Sequence, residues 1–313
     1  MNRSQFITAA SCFAAAGCGR SGTGRADLDR ARKSRDEHLV LLEGFRVPAG
    51  ATRTTPPPAV DVAAAVPELK SLSKVTVRLH PRFGDEPKPD ESKLGGRFLW
   101  PADEPWPAQD DIPLVPVLQL RAEDAPTNFA FRPGTDLLQL LWCPRADLKP
   151  VVAWRKRSAV SGELAPYPDT LKANLDFVPV PCRVFPERVT EYPPSAILPV
   201  AVARAIDGAN GLGTTRYDSQ FAAASGTKVG GYPRWPGPAD PPACSTCGWG
   251  MDYLLTVAGT EWDDAGRARW MPKEEAGQKN PTGFQSAVGL KLGSVLVFVC
   301  RRCEHWPIGY RTI

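Results

Sequence analysis

Four cysteines carry the clearest chemistry in this sequence: Cys244-Ser-Thr-Cys247 followed by Gly248, and Cys300-Arg-Arg-Cys303. A tight turn with two intervening residues aims two thiolates at one point, and two such turns supply the four soft ligands of a tetrahedral zinc. Backbone amides in each turn can donate to sulfur, and Gly248 admits the backbone angles such a knuckle needs. Four sulfurs fill the shell, so the expected ion is structural and leaves no open position for an activated water. If the chain is exported, two disulfides are the alternative, although a C-x-x-C bridge closes a small, redox-active ring. His305 is available as a substitute ligand or as a partner of one. Cys143 and Cys182 lack a neighbouring pair and read as small apolar core residues.

Other chemistry is sparse. The three histidines, His38, His80 and His305, have no metalloprotease spacing, and neither a G-x-S-x-G elbow nor a phosphate loop occurs. Gly17-x-Gly19-x-x-Gly22 matches a dinucleotide fingerprint in letters only. The charged stretch that follows cannot lay an apolar helix face on a sheet, and no β-α-β alternation succeeds it. Carboxylates such as Asp103, Glu104, Asp110, Asp111, Asp263 and Asp264 fall in turn-like stretches where solvated acids are expected. An enzyme built on two carboxylates stays open, because pair geometry is invisible in a sequence.

The elements that must position these residues are short. Thirty-three prolines in 313 residues is about twice the usual roughly 5%, and each removes a backbone donor, which excludes long bundles and coiled coils. From about residue 75 the chain alternates brief apolar runs with Pro and Gly, the pattern of many strands joined by turns. A net charge of +4 lacks the excess of a dedicated nucleic-acid binder. No run of 18 apolar residues offers a membrane span.

One arrangement occurs twice. Ser92-Lys93-Leu94-Gly95-Gly96-Arg97-Phe98-Leu99-Trp100-Pro101 matches Thr227-Lys228-Val229-Gly230-Gly231-Tyr232-Pro233-Arg234-Trp235-Pro236. Each is followed by an apolar strand, 114–120 and 251–257, in which Gln119 aligns with Thr256, and then by a second strand ending in Cys143 or Cys300. The expected fold is α+β and β-rich: an internal duplication of two small twisted sheets packed about a pseudo-twofold, with a zinc-ribbon-like four-cysteine site in the second half. Lys93 and Lys228, with Gln119, are the candidates for a cleft between the halves, offering paired positive charge to an anionic ligand or a peptide terminus. A structural turn is the plainer alternative for both lysines.

These motifs resemble the YwqG-like domain-of-unknown-function family of bacteria, through SKLGGRFLWPADEPWP, PLVPVLQL, GTDLLQLLWCP, GTKVGGYPRWP, MDYLLTVAGTEW and LVFVCRRC. The resemblance covers about residues 75–313 and is closest to the actinobacterial-type branch with two cysteine pairs. It implies a β-rich duplicated fold and no established activity or catalytic residues.

The expected organisation is a disordered tail or signal-like segment over 1–24, an N-terminal helix and linker over 25–74, and repeat halves over 75–190 and 191–313. Cys18, after Ala-Ala-Gly, stands where a lipoprotein signal would be acylated. The expected location is the cytoplasm, with a lipoprotein anchored at Cys18 as the alternative. The expected function is noncatalytic binding of a protein or peptide partner by a zinc-stabilised module. A nucleic-acid-binding zinc protein, with Arg301 and Arg302 at the knuckle tip, and an enzyme with a site in the inter-repeat cleft are the alternatives.

Overall fold

Alternation along the strands decides the architecture. In the computed structural model, which describes residues 29, 32–33, 36–37, 39–40, 46–48, 50–145, 147–160, 163–166, 177–277 and 293–313, two antiparallel sheets dominate. The expectations for residues 1–24, including Cys18, and for His38 lie outside the described residues.

The five-stranded sheet runs β7 (Val151–Arg155), β6 (Leu137–Trp142), β5 (Val115–Arg121), β2 (Lys93–Leu94), β8 (Cys182–Arg183). The six-stranded sheet runs β13 (Ile308–Thr312), β12 (Val295–Val299), β11 (Asp252–Val257), β10 (Lys228–Val229), β1 (Lys74–Arg78), β9 (Glu187–Glu191). A separate small hairpin joins β3 (Ala108–Gln109) to β4 (Ile112–Pro113). The sheets cross the expected boundary at residue 190. The chain enters the second sheet at β1, builds the first, and returns to the second at β9.

The inner faces meet in one apolar core: Leu94, Leu118, Leu120, Leu138 and Leu140 from one sheet, Val77, Val229, Leu255, Val257 and Val297 from the other. Side chains alternate across a strand, so the neighbours of these residues point outward. At the sheet centres the outer faces are covered as well, with β6 and β12 buried along their whole lengths, while β7 and β13 are mostly half-buried. The space between the sheets is therefore a packed core, where the sequence had suggested a cleft.

Matching details recur in both sheets. β2 pairs Lys93 with Gln119, and β10 pairs Lys228 with Thr256. A bulge falls between Pro116 and Leu118 in β5 and between Tyr253 and Leu255 in β11. Gly95 donates its N–H to Val117 O at 2.8 Å, and Gly230 donates to Leu254 O at 2.9 Å. Both glycines of each pair have φ between 62° and 75°, a region costly for side-chain-bearing residues.

Helices are short. α1 (Val62–Ala65) is capped by Asp61, whose Oδ1 accepts the N–H groups of Ala63 and Ala64 at 3.0 Å. α2 (Val200–Gly208) and α3 (Thr214–Gln220) pack with α1 through Val62, Val66, Leu69, Val202, Ile206 and Tyr217. α4 (Arg267–Trp270) lies against the second sheet's outer side, with Trp270 Nε1 donating to Ser219 O at 2.8 Å. No described helix is long and apolar enough to cross a membrane.

Candidate functional site

The cysteine pairs meet because of strand register. Antiparallel pairing places Asp252, at the start of β11, opposite Val299, at the end of β12. The turn before β11 and the turn after β12 therefore emerge side by side, although Cys247 and Cys300 are 53 positions apart. The Sγ separations are 3.9 Å for Cys244–Cys303, 3.6 Å for Cys247–Cys300 and 3.8 Å for Cys300–Cys303, and all four sulfurs lie within 4.8 Å of one another. These are free thiols, grouped as a candidate metal centre.

The first turn is built to present sulfur. Ala243 bridges Gly250, Cys244 N donates to Trp249 O at 2.7 Å, and Gly248 N returns to Cys244 O at 2.8 Å with Gly248 at φ 74°. Thr246 N donates to Cys244 Sγ at 3.4 Å. Amide donation from Cys247 and Thr246 lowers the Cys244 thiol to about 6, which favours the thiolate a metal needs. Cys303 moves the other way, to about 12, because its hydrogen bond with the Cys247 sulfur, and then desolvation, favour the protonated thiol, with the Cys244 charge adding to them. A bound cation removes that conflict. In the second turn Cys300 N donates to Pro307 O and Trp306 N to Cys303 O. His305 belongs to this exposed turn but not to the sulfur cluster.

Beneath the sulfurs, Cys244 and Cys300 pack with Met251, Leu296, Phe298 and Trp235. Trp235 stacks on Phe298 at 6.0 Å. Trp235 and Leu296 also form a wall of a cavity of about 570 Å³ on the outer face of the second sheet, which the side chains of Asp218, Arg234, Trp262 and Asp263 help to line. The cysteine cluster thus shares its apolar base with one side of this cavity.

Lys93, Lys228 and Gln119 are placed otherwise than expected. Leu94 and Val229 face the shared core, so the adjacent lysines project from opposite outer faces and do not converge. Both are buried. Lys93 Nζ donates to Lys88 O at 2.5 Å, and burial lowers its ammonium to about 8. Lys228 Nζ donates to Glu191 Oε2 at 2.7 Å and to Tyr232 O at 2.6 Å. Gln119 accepts from Leu99 N and Gln139 Nε2, and donates to Pro89 O and Glu91 O. Buried polar groups must be paired, and here the pairing holds loops onto the sheets.

A second polar assembly was not legible in the sequence. Arg78, His80 and Arg82 occupy alternate positions and are all buried. Arg78 Nη1 donates to Thr55 Oγ1 at 2.7 Å, His80 Nε2 lies 2.9 Å from Glu187 Oε2, and Arg82 Nε donates to Glu275 Oε1 at 2.6 Å. Arg53 Nε shares that Glu275 oxygen at 2.7 Å. Burial lowers Arg78 to about 10 and holds His80 well below its ordinary range. The network fastens residues 52–56 over the end of the second sheet, with Thr54 N on Glu274, Thr55 N on Glu187 and Pro56 O receiving Arg269 Nη1. The only sequence signal was alternation of polar residues in T-V-R-L-H-P-R, which ordinarily marks a solvated strand face.

No family model matches the chain, and no curated protein is detectably similar to it.

Proposed function

We propose that this chain is a zinc-stapled, noncatalytic module of the YwqG-like kind that binds a protein or peptide partner. The observation that carries the noncatalytic part is the closed sulfur set. A metal–sulfur distance of about 2.3 Å gives a tetrahedron with edges of about 3.8 Å, and the three cysteine contacts span 3.6–3.9 Å. All four positions are then thiolate, so zinc supplies bracing and no activated water. The apolar base shared by the cysteines, Trp235 and Leu296 makes that bracing act on the cavity wall. A persistent thiolate set suits a reducing compartment, which supports a cytoplasmic location.

Shared strand order, equivalent bulges and paired positive-φ glycines support descent of the two sheets from one duplicated unit. Their outer faces differ in lining: Trp235, Trp262 and Leu296 line the cavity at the second, and Glu104, Trp154 and Arg155 line one of about 510 Å³ at the first.

The test is elemental analysis of protein purified under reducing conditions, beside Cys300→Ser, with both probed on an array of immobilised peptides. One zinc per chain in the parent, lost in the variant together with saturable peptide binding, is the expected result. Absence of zinc, or peptide binding at no sequence by a zinc-loaded parent, overturns the reading.

One observation favours a second reading. Arg302 lies 4.0 Å from the ring centroid of Trp249, which is 58% exposed at the first cysteine turn. An aromatic face with an adjoining guanidinium suits nucleobase stacking. Retention on single-stranded DNA that falls steeply with salt would favour it.

A further inference from the structure

Residues 52–56 lie on the end of the second sheet as a bound peptide lies in a groove. Burial alternates along this strap: Arg53 and Thr55 are buried, Thr52 is exposed and Thr54 half-buried, as in an extended segment. Groove residues hold its main chain. Thr54 N donates to Glu274 Oε2 at 2.8 Å, Lys273 N to Thr54 O at 2.9 Å, Thr55 N to Glu187 Oε1 at 2.7 Å, and Arg269 Nη1 to Pro56 O at 2.7 Å. Two side chains enter pockets. Arg53 Nε donates to Glu275 Oε1 at 2.7 Å, with its guanidinium 5.6 Å from the Phe185 ring centroid. Thr55 Oγ1 accepts from Arg78 Nη1 and donates to Glu187 Oε2. Main-chain bonds combined with pockets for alternate side chains are how extended peptides are recognised.

The groove is complete without its occupant. Glu275 keeps Arg82, through Nε at 2.6 Å and Nη2 at 3.1 Å, and Glu187 keeps His80 Nε2 at 2.9 Å. Arg78 Nε keeps Ser225 O at 3.1 Å, and Arg269 keeps the Trp270 ring, 4.2 Å away. Departure of the strap therefore strands no buried charge, the event that makes most buried pairs costly to break. The strap's own polar groups pass to water, and none of its residues belongs to an apolar cluster among the described residues. A hydrogen bond exchanged for one to water changes the free energy little, so this contact is reversible in a way that the core is not.

We propose that this groove is a peptide-binding site held closed by the chain's own residues 52–56, and that its partner is an extended segment with Arg two residues before Thr and Pro directly after it. The inference rests on the binding reading above and deepens it, since it gives the partner's chemistry and the site that takes it. The strap is tied on one side at Val47, which bridges Gly84, and on the other at Asp61, which caps α1. Such tethering raises its effective concentration. A free peptide then meets an open groove only in the fraction of molecules whose strap has left, and its apparent affinity falls by that fraction.

The probe is the acetylated and amidated peptide Ala-Thr-Arg-Thr-Thr-Pro-Pro-Pro-Ala, the sequence of residues 51–59. It is titrated by calorimetry into the full-length zinc-loaded parent and into Arg53→Ala/Thr55→Ala, which empties both pockets and leaves every groove residue in place. Saturable binding to the variant, at least tenfold weaker binding to the parent, and at least tenfold loss when the peptide's Arg or its third Thr is replaced by Ala are expected. In isotope-labelled parent, excess unlabelled peptide should accelerate hydrogen exchange at the Thr54 and Thr55 amides, a readout that requires no variant. No saturable binding to the folded variant, equal affinity of the Ala-substituted peptides, or, if the variant unfolds, unchanged exchange at Thr54 and Thr55 overturns the proposal. A peptide that binds the parent on the array while leaving those two amides unmoved removes this site and preserves the binding reading; no peptide bound anywhere removes both.

Discussion

Lys228 Nζ lies 2.7 Å from Glu191 Oε2, with both side chains sealed from solvent, and the same carboxylate accepts the N–H groups of Ala224 and Tyr232. Burial pushes the Glu191 carboxyl up and the Lys228 ammonium down, and their mutual attraction opposes both shifts. Glu191→Ala strands an ammonium and two amides in the interior. Removing one partner of such a pair costs roughly 3–5 kcal/mol, to be read in urea unfolding. A cost below about 1 kcal/mol, typical of exposed pairs, would show that the pair is solvated.

Lys93, the matching residue, has no carboxylate on its Nζ and an ammonium lowered to about 8 by burial. Unfolded lysine titrates near 10.4. Between these values the unfolded chain binds the extra proton, so this group makes stability rise with pH across that window, and its penalty is fully present below pH 8. Stability of the parent relative to Lys93→Met should therefore climb between pH 8 and 10, measured by paired urea titrations. A flat difference would contradict the burial of the charge.

Gly231 separates space from conformation as a cause of glycine retention. A Cβ there would collide with Glu191 Oε1, at φ 75°, whereas Gly134 has φ 80° and nothing within 4 Å. Gly134→Ala should cost about 1–2 kcal/mol from backbone strain alone. Gly231→Ala should cost more and disturb the Lys228–Glu191 pair, so the two thermal midpoints must differ. Equal losses would mean that the carboxylate moves aside freely.

Metal removal should act locally. The cysteine turns rest on their own apolar cluster, distinct from the core between the sheets. A strong chelator should raise hydrogen exchange at Gly248 and Trp306, whose amides close the two turns, while the amides of β5 and β6 stay protected. Global loss of protection would make the metal a condition of the whole fold.

Glu275 joins Arg53 to Arg82, both at their Nε atoms and all three buried. Glu275→Ala removes that shared carboxylate and should release residues 52–56. Trypsin cleavage after Arg53 would accelerate in the variant, and an unchanged rate would show that Glu187, Glu274 and Arg269 suffice to hold the segment.

Sequence alone determined what depends on local spacing and short-range conformation. The C-x-x-C turns, the paired glycines that need positive φ, the β-rich class and the alignment of Gln119 with Thr256 follow from residue type and interval, without knowledge of which strands meet. Tertiary structure decided which face of each strand is inside. Lys93 and Lys228 looked like partners because their flanking sequences match, yet Leu94 and Val229 take the core and send the lysines apart. Nothing local to Arg78, His80 and Arg82 announces their burial, which comes from residues 52–56, with Thr55 standing 23 positions before Arg78, closing over them. The cavity depends on Asp218, Arg234, Trp262 and Leu296, which four separate segments contribute. Thr256 and Leu296 meet in its lining only because β11 and β12 pair, a register that no local pattern in the sequence states.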